Sequence, residues 1–197
     1  MTKPYTFIFF GIVGSGKGTQ VELLEKYLKE KDLISNVVHA SSGSEYRKIV
    51  ASGNYTSTLI KGVLEAGKLQ PDFLTNGLFV SILTNNMQAD SCIIADGFPR
   101  SLSQSDTFEK AMNYYGRNDT HIIYIEVGKE EAVKRMKLRA RSDDTDAGIA
   151  NRFDEYINNV IPAMNYFKDK AGYTIHTING EQSIESVQKD ILAALGI

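Results

Sequence analysis

The chain has 197 residues, 42% of them apolar and 23% charged, which excludes a wholly disordered chain and leaves enough apolar side chains for a sizeable core. Twenty-two Lys and Arg against 24 Asp and Glu leave a net charge of −2, which argues against bulk binding to nucleic acid or to a membrane surface. The single cysteine, Cys92, excludes an internal disulfide framework and a multi-cysteine zinc site, and reads as a small buried hydrophobe.

Five short apolar runs rich in β-branched or aromatic residues read as strands: Phe7–Phe10, Val37–His39, Cys92–Ala95, Ile122–Val127 and Tyr173–Ile178. Their continuous apolar character predicts burial on both faces, as in a parallel sheet. Helical spacing lies between them. Val21, Leu24 and Leu28 mark a helix after the first strand. Ile184, Val187, Ile191 and Leu195 mark another at the end, with Ser183 as its N-cap. The second and third strands are about 50 residues apart, far more than one crossover helix needs, so extra helices form a projecting lobe there. Gly53-Asn-Tyr-Thr-Ser-Thr58 and Gly67-Lys-Leu-Gln-Pro71 read as its internal turns. Strands alternating with helices predict a three-layer α/β fold in one domain. No run approaches the roughly 18 apolar residues that cross a bilayer. The first apolar segment is too short, and too soon followed by glycines, for a signal peptide, so the expected compartment is the cytoplasm.

The first strand runs into Gly11-Ile-Val-Gly-Ser-Gly-Lys-Gly-Thr19 and then into an amphipathic helix. This is a phosphate-binding loop in its strand–loop–helix context. Gly14, Ser15 and Gly16 let backbone N–H groups face phosphate oxygens, the helix adds its positive end, and Lys17 reaches the β- and γ-phosphates. Gly18 stands where a hydroxyl residue commonly follows the lysine, and Thr19 comes one place later, so a direct magnesium ligand is missing at that position.

The third strand leads into Asp96-Gly-Phe-Pro-Arg100, with Gln104 beyond. An acidic residue at a strand end beside a phosphate loop suits magnesium, and an arginine four residues later suits a second phosphate. Taken alone, the segment also fits an ordinary strand-end turn with a surface arginine.

Together these segments resemble the adenylate kinase family of nucleoside monophosphate kinases, in a form with a very short lid. Gly11 to Gln20, including Gly18, is similar to that family's phosphate loop. Asp96 to Arg100 with Gln104 is similar to its central signature. His39-Ala-Ser-Ser-Gly-Ser-Glu-Tyr-Arg47 resembles its Ser-Thr-Gly-Asp segment, Gly67-Lys-Leu the turn closing its monophosphate lobe, and Arg141 with Arg152 the arginine pair after its lid. The similarity runs in order from about Thr6 to about Leu195.

The resemblance implies a P-loop nucleotide kinase with a five-stranded parallel sheet: a core of residues 1–40, 71–138 and 146–197, a monophosphate-binding lobe of 41–70, and a vestigial lid of 139–145. It implies reversible transfer of the γ-phosphoryl group of magnesium ATP to AMP by a monomer with no nucleic-acid or membrane partner. ATP would be held by Gly14, Ser15, Gly16, Lys17, Gly18 and Thr19, with Arg135 stacked on the donor adenine. AMP would be held by Ser42, Gly43, Arg47, Gly97, Arg100 and Gln104, with the Gln104 amide reading the adenine edge. Arg139, Arg141 and Arg152 would clamp the transferring group, and Asp96 would hold Mg2+ through water. The charge chemistry fits independently: phosphoryl transfer needs positioning and neutralisation, hence many cations and no nucleophile.

Other accounts of some of these residues stand beside that one. Glu130 with Lys134 and Glu131 with Arg135 are i,i+4 pairs, so Arg135 and Arg139 also fit a solvated, salt-bridged helix face. Asp143, Asp144 and Asp146 fit hinge or capping roles, and His39, His121 and His176 fit structural ones. Two departures from the family pattern matter. Ser44 stands in place of a carboxylate, and Ala140 alone separates Arg139 from Arg141. A cysteine-zinc lid is excluded, and so short a lid predicts weaker shielding of the site from water. Alternative functions are a UMP/CMP or broad-specificity kinase, and a nucleotide-binding sensor or partner module without turnover.

Overall fold

The computed structural model describes residues 4–139 and 145–197. Five parallel strands form one sheet in the order β2-β3-β1-β4-β5: β1 Thr6–Phe10, β2 Val37–Ser41, β3 Cys92–Asp96, β4 Thr120–Glu126 and β5 Tyr173–Asn179. Every residue of β1, at the centre, is buried. Alternation along it feeds two layers. Phe7 and Phe9 join Val21, Leu24 and Leu28 of α1 (Lys17–Glu30) and Val187 and Ile191 of α9 (Ile184–Leu195). Ile8 and Phe10 join Phe79 and Leu83 of α4 (Asp72–Asn86), Phe108 and Met112 of α5 (Leu102–Tyr114), and Met164 of α8 (Ile161–Asn165).

The expected burial on both faces holds for the inner strands and fails at the edges. β2 and β5 are only partly buried, because each has one strand neighbour instead of two. Ile184 is likewise exposed at the first turn of α9, where the helix leaves the core, although Ser183 caps it as expected by accepting from the Ser186 N–H. Cys92 is buried, and burial pushes its thiol up to about 12.

Between β2 and α4 run α2 (Ser42–Ala51) and α3 (Tyr55–Glu65). The expected turn over residues 53–58 is shorter than its composition suggests. It ends at Asn54, whose side chain accepts from the Ser57 N–H while the Ser57 hydroxyl accepts from the Asn54 N–H. That capping box starts α3 at Tyr55 and takes Thr56, Ser57 and Thr58 into the helix. Gly67 ends the segment with φ +68, as its turn character predicts.

The strand order reverses on either side of β1, so a crevice opens at the carboxyl ends of β1, β3 and β4. Beside it lie α6 (Lys129–Arg139) and α7 (Asp146–Glu155), which pack Ala132, Met136, Ile149 and Phe153 against Ile12. Thr145 caps α7 by accepting from the Gly148 N–H, so Asp146 is a first-turn acid and not the cap; Asp143 and Asp144 lie outside the described residues. A π-helical turn, Tyr156–Val160, links α7 to α8.

Candidate active site

The loop after β1 is shaped by close backbone approach. Gly14 has φ +92, and a Cβ there would stand 2.6 Å from the Ala132 carbonyl oxygen of α6. Gly16, φ +90, is the N-cap of α1 and gives that helix no side-chain cap. The first N–H groups of α1 therefore keep their hydrogen-bonding capacity and the helix's positive end for an anion. Ser15 is buried inside the loop, while Gly18 and Thr19 are exposed on the first turn.

Lys17 folds back over this loop. Its Nζ donates to the carbonyls of Gly11 (2.6 Å) and Ile12 (2.9 Å) and, at 3.4 Å, to Ser15 Oγ. Burial pulls its pKa down from 10.5 to about 8; Asp96 opposes the shift, and Arg100 and Arg139 add to it. A phosphate arriving here would restore the missing negative charge and hold the proton on the amine.

Asp96 ends β3 in register with Phe9 of β1 and Ser41 of β2. The chain then turns at Gly97, φ +77, where a Cβ would meet the Arg100 guanidinium at 2.7 Å, so glycine is what lets that side chain fold across the turn. The Phe98–Pro99 peptide is cis. Phe98 stacks on Phe79 of α4 with ring centroids 4.1 Å apart, which anchors the turn in the core. Burial lowers the Arg100 pKa, with Asp96 pulling the other way.

Lys17, Gly43, Arg47, Gly97, Arg100, Arg139 and Arg152 line one cleft, joined by Lys68, Glu155 and Tyr156. The cations come from α1, α2, the α3–α4 turn, the β3–α5 turn, α6 and α7. Arg141 lies outside the described residues. An adjoining pocket is walled by Ser42, Gly43, Tyr46, Gln70, Thr75, Arg100 and Gln104. The Gln104 amide, expected to meet a base, is held from both ends: Oε1 accepts from the Arg100 N–H at 2.8 Å, and Nε2 donates to Asp72 Oδ1 at 2.8 Å. One N–H and one carbonyl lone pair remain for another partner. Ser42 donates to the Gly97 carbonyl at 2.6 Å. Ser44, at the family's carboxylate position, donates to the Ser41 carbonyl at 3.0 Å.

Arg135 stands apart from this cleft. It pairs with Glu131 at 2.8 Å, as its spacing predicts, and also donates to the Gly180 carbonyl beyond β5 at 3.0 Å. Lys134 pairs with Glu131 and not with the expected Glu130, because an i,i+3 reach brings the same carboxylate to both cations. Sequence reasoning missed Asp72, Tyr46, Gln70, Thr75, Glu155 and Tyr156. Pro71-Asp72 carries a helix-start signal that could have singled out Asp72. The others carry no local signal. Tyr156, for instance, meets Tyr124 OH of β4 at 2.9 Å from the π-helical turn, and burial pushes its phenol pKa up.

The family model for adenylate kinase matches residues 9–172, a span that contains every residue lining the cleft. The chain belongs to the adenylate kinase family. It is 30% identical to an "Adenylate kinase" of Prochlorococcus marinus, over 93% of this chain and 94% of that one. It is 30% identical to "Adenylate kinase 1" of a Nostoc species, over 96% and 97% of the two chains. It is 29% identical to an "Adenylate kinase" of Dehalococcoides mccartyi over 97% and 98%, in an alignment of 221 positions. With the adenylate kinase family established, the all-parallel sheet and the glycine loop at its carboxyl edge are those of a P-loop nucleotide kinase.

Proposed function

We infer that this chain is an adenylate kinase, catalysing reversible phosphoryl transfer from magnesium ATP to AMP with two ADP as products. The observation that carries the reading is the convergence of Lys17, Arg47, Arg100, Arg139 and Arg152, from separate elements, on one cleft beside an uncapped glycine-loop helix. Such a site neutralises two phosphate chains facing each other and needs no nucleophile.

In this reading the N–H groups of residues 14–19 and Lys17 hold the donor phosphates. Arg47 and Arg100 hold the acceptor phosphate, and Arg139, Arg141 and Arg152 clamp the group in flight. Ser42, Gly43, Gly97 and Gln104 shape the acceptor pocket, and Arg135 covers the donor adenine. Residues 41–70 act as the acceptor lobe, 139–145 as a minimal lid, and the remainder as the core. Mg2+ takes hard oxygen ligands and keeps several waters, and the Asp96 carboxylate at the β3 end, opposite Lys17 and Arg100, suits such a water-bridged ion. When bound there, the ion would supply positive charge against the phosphate charge that develops during transfer. A cytoplasmic monomer completes the proposal; among the described residues no helix is long and apolar enough to cross a membrane.

ADP production from magnesium ATP with AMP, CMP, UMP, GMP or no acceptor, run in parallel, tests this. Fast turnover with AMP is the expected result. Turnover confined to pyrimidine monophosphates, or none with any acceptor in a folded protein that binds ATP, overturns it.

A further inference from the structure

We propose that Tyr156 is a positioning residue for Arg152: its hydroxyl pair with Tyr124 fixes the angle at which α7 presents that guanidinium to the cleft. The inference rests on the reading of Arg152 as a clamp on the transferring phosphoryl group.

The local sequence makes a joint after α7. Pro162 has no N–H for the Asn158 carbonyl four residues back, and its ring crowds that carbonyl. The helix widens ahead of it: the Ile161 N–H bonds five residues back, to the Tyr156 carbonyl. The two sides of this turn sit in different cores. Tyr156 packs with Ile149 and Phe153 of α7 against Ile12, whereas Val160 and Ile161 pack with Met164 on the opposite face of the sheet. A junction between two separately packed segments is where a helix can pivot.

The pair of phenols ties this junction. Tyr156 OH lies 2.9 Å from Tyr124 OH, and among the described residues neither hydroxyl has another hydrogen-bond partner. Burial pushes the Tyr156 phenol pKa up, so the pair stays a neutral hydrogen bond. The Tyr124 end belongs to the frame of the phosphate loop. Tyr124 is in register with Phe10 of β1, the residue before Gly11, and a Cβ on Gly11 would stand 2.6 Å from the Ile125 carbonyl oxygen. The Gly11 carbonyl in turn accepts from Lys17 Nζ at 2.6 Å. At the other end, Arg152 stands four residues before Tyr156 on the same helix face, and both line the cleft. The bridge thus refers Arg152 to the frame that holds Lys17. Two cations meeting one group in flight need a common frame, since a misplacement of about 1 Å costs about 10²-fold in rate.

The test is steady-state kinetics and thermal melting of the full chain with Tyr124→Phe, Tyr156→Phe and the double variant, all of which keep the rings. Either single change leaves one part-buried hydroxyl unpaired. It should lower the melting temperature, and should lower kcat by about threefold to tenfold with the KM values for ATP and AMP held within about twofold. The double variant leaves no hydroxyl unpaired, so its melting temperature should return towards that of the natural chain while kcat stays low. A purely structural pair would recover both. On an Arg152→Ala background, Tyr156→Phe should cost less than about twofold more in kcat, because it acts through the guanidinium. A natural kcat in the single or double variants, a loss that appears in KM instead, or a full further loss on Arg152→Ala overturns the inference and leaves the kinase reading standing. A natural chain that binds ATP and turns over no acceptor overturns both.

Discussion

The side-chain amide of Asn151 donates to the carbonyl oxygen of Ala66 at 2.8 Å. This joins the middle of α7 to the C-cap of α3, whose last carbonyls have no partner within their own helix. The two elements also touch backbone to backbone: a Cβ on Gly67 would stand 2.3 Å from the Gly148 carbonyl oxygen. The tie sits one residue before Arg152 and two before Lys68, both of which line the cleft. It thus couples the position of the α2–α3 segment to that of Arg152 in the cleft.

Loss of that bond should loosen the coupling without removing a cation. A part-buried neutral hydrogen bond contributes about 0.5–1.5 kcal/mol, a factor of roughly 2–12 in a closed-to-open ratio. Asn151→Ala should therefore raise the KM for AMP by about that factor and speed hydrogen exchange at the amides of residues 66–68, with little change in melting temperature. Gly67→Ala should be harsher, since it meets both an unfavourable φ and the Gly148 backbone, and should destabilise the fold by about 1–3 kcal/mol in a denaturant titration.

Lys17 makes the site pH-dependent in a defined direction. Its folded pKa of about 8 lies below the ordinary 10.5 because burial disfavours the cation. Donor phosphates need the charged form, so kcat/KM for ATP should fall as pH rises through about 8, while kcat, read in the complex where phosphate holds the proton, should persist to higher pH. Stability runs the other way. Between about 8 and 10.5 the unfolded chain binds the proton that the folded chain has lost, so stability rises with pH in that window. Lys17→Met should melt above the natural chain at pH 7, with the gap closing towards pH 10, and it should lose about 10³-fold or more in turnover, as should Arg100→Ala.

The β4–β5 pair carries a second titration. His121 Nδ1 lies 3.1 Å from His176 Nε2, with the rings tilted by 28°, and His121 Nε2 lies 3.4 Å from Asp119. Burial, with His121 adding to it, lowers the His176 pKa below the ordinary 6.5. The folded chain then binds fewer protons than the unfolded chain as pH falls through 6.5, so this group's contribution to stability is present above that pH and lost below it. His176→Gln should shrink the drop in melting temperature between pH 7.5 and pH 5, measured by circular dichroism. An identical drop would place the acid sensitivity elsewhere.

What was legible in the sequence was local. The phosphate loop is one continuous strand–glycine–helix segment, so spacing alone sets its chemistry, and the Ser183 cap lies three residues from its partner Ser186. The partial exposure of β2 and β5 was not legible, because edge position depends on strand order, which no single segment carries. Asn54 and Ser57 were present as letters, yet the turn composition around them hid a capping box. Gln70 and Asp72 were passed over because their roles need partners at Ile60 and Gln104, brought close only by the fold. The Gln104 position was legible, whereas the fact that its amide is clamped at both ends was not.

The lid proposed for residues 139–145 leads to the last expectation. Phosphoryl transfer competes with water, and a closing segment limits that competition by excluding solvent from the cleft. Here residues 140–145 are all that separates α6 from α7. Asn151 and Gly148 also draw the Ala66–Gly67 turn against α7 beside the cleft. Because that contact shields less surface than a long lid would, ATP hydrolysis without acceptor should be a larger fraction of full turnover here than in an adenylate kinase with a long lid, and Asn151→Ala should raise the fraction further. Phosphate release from magnesium ATP alone, normalised to ADP formation with AMP, measures both. An equally low background in the two proteins would show that the tie to α7 suffices to keep water out.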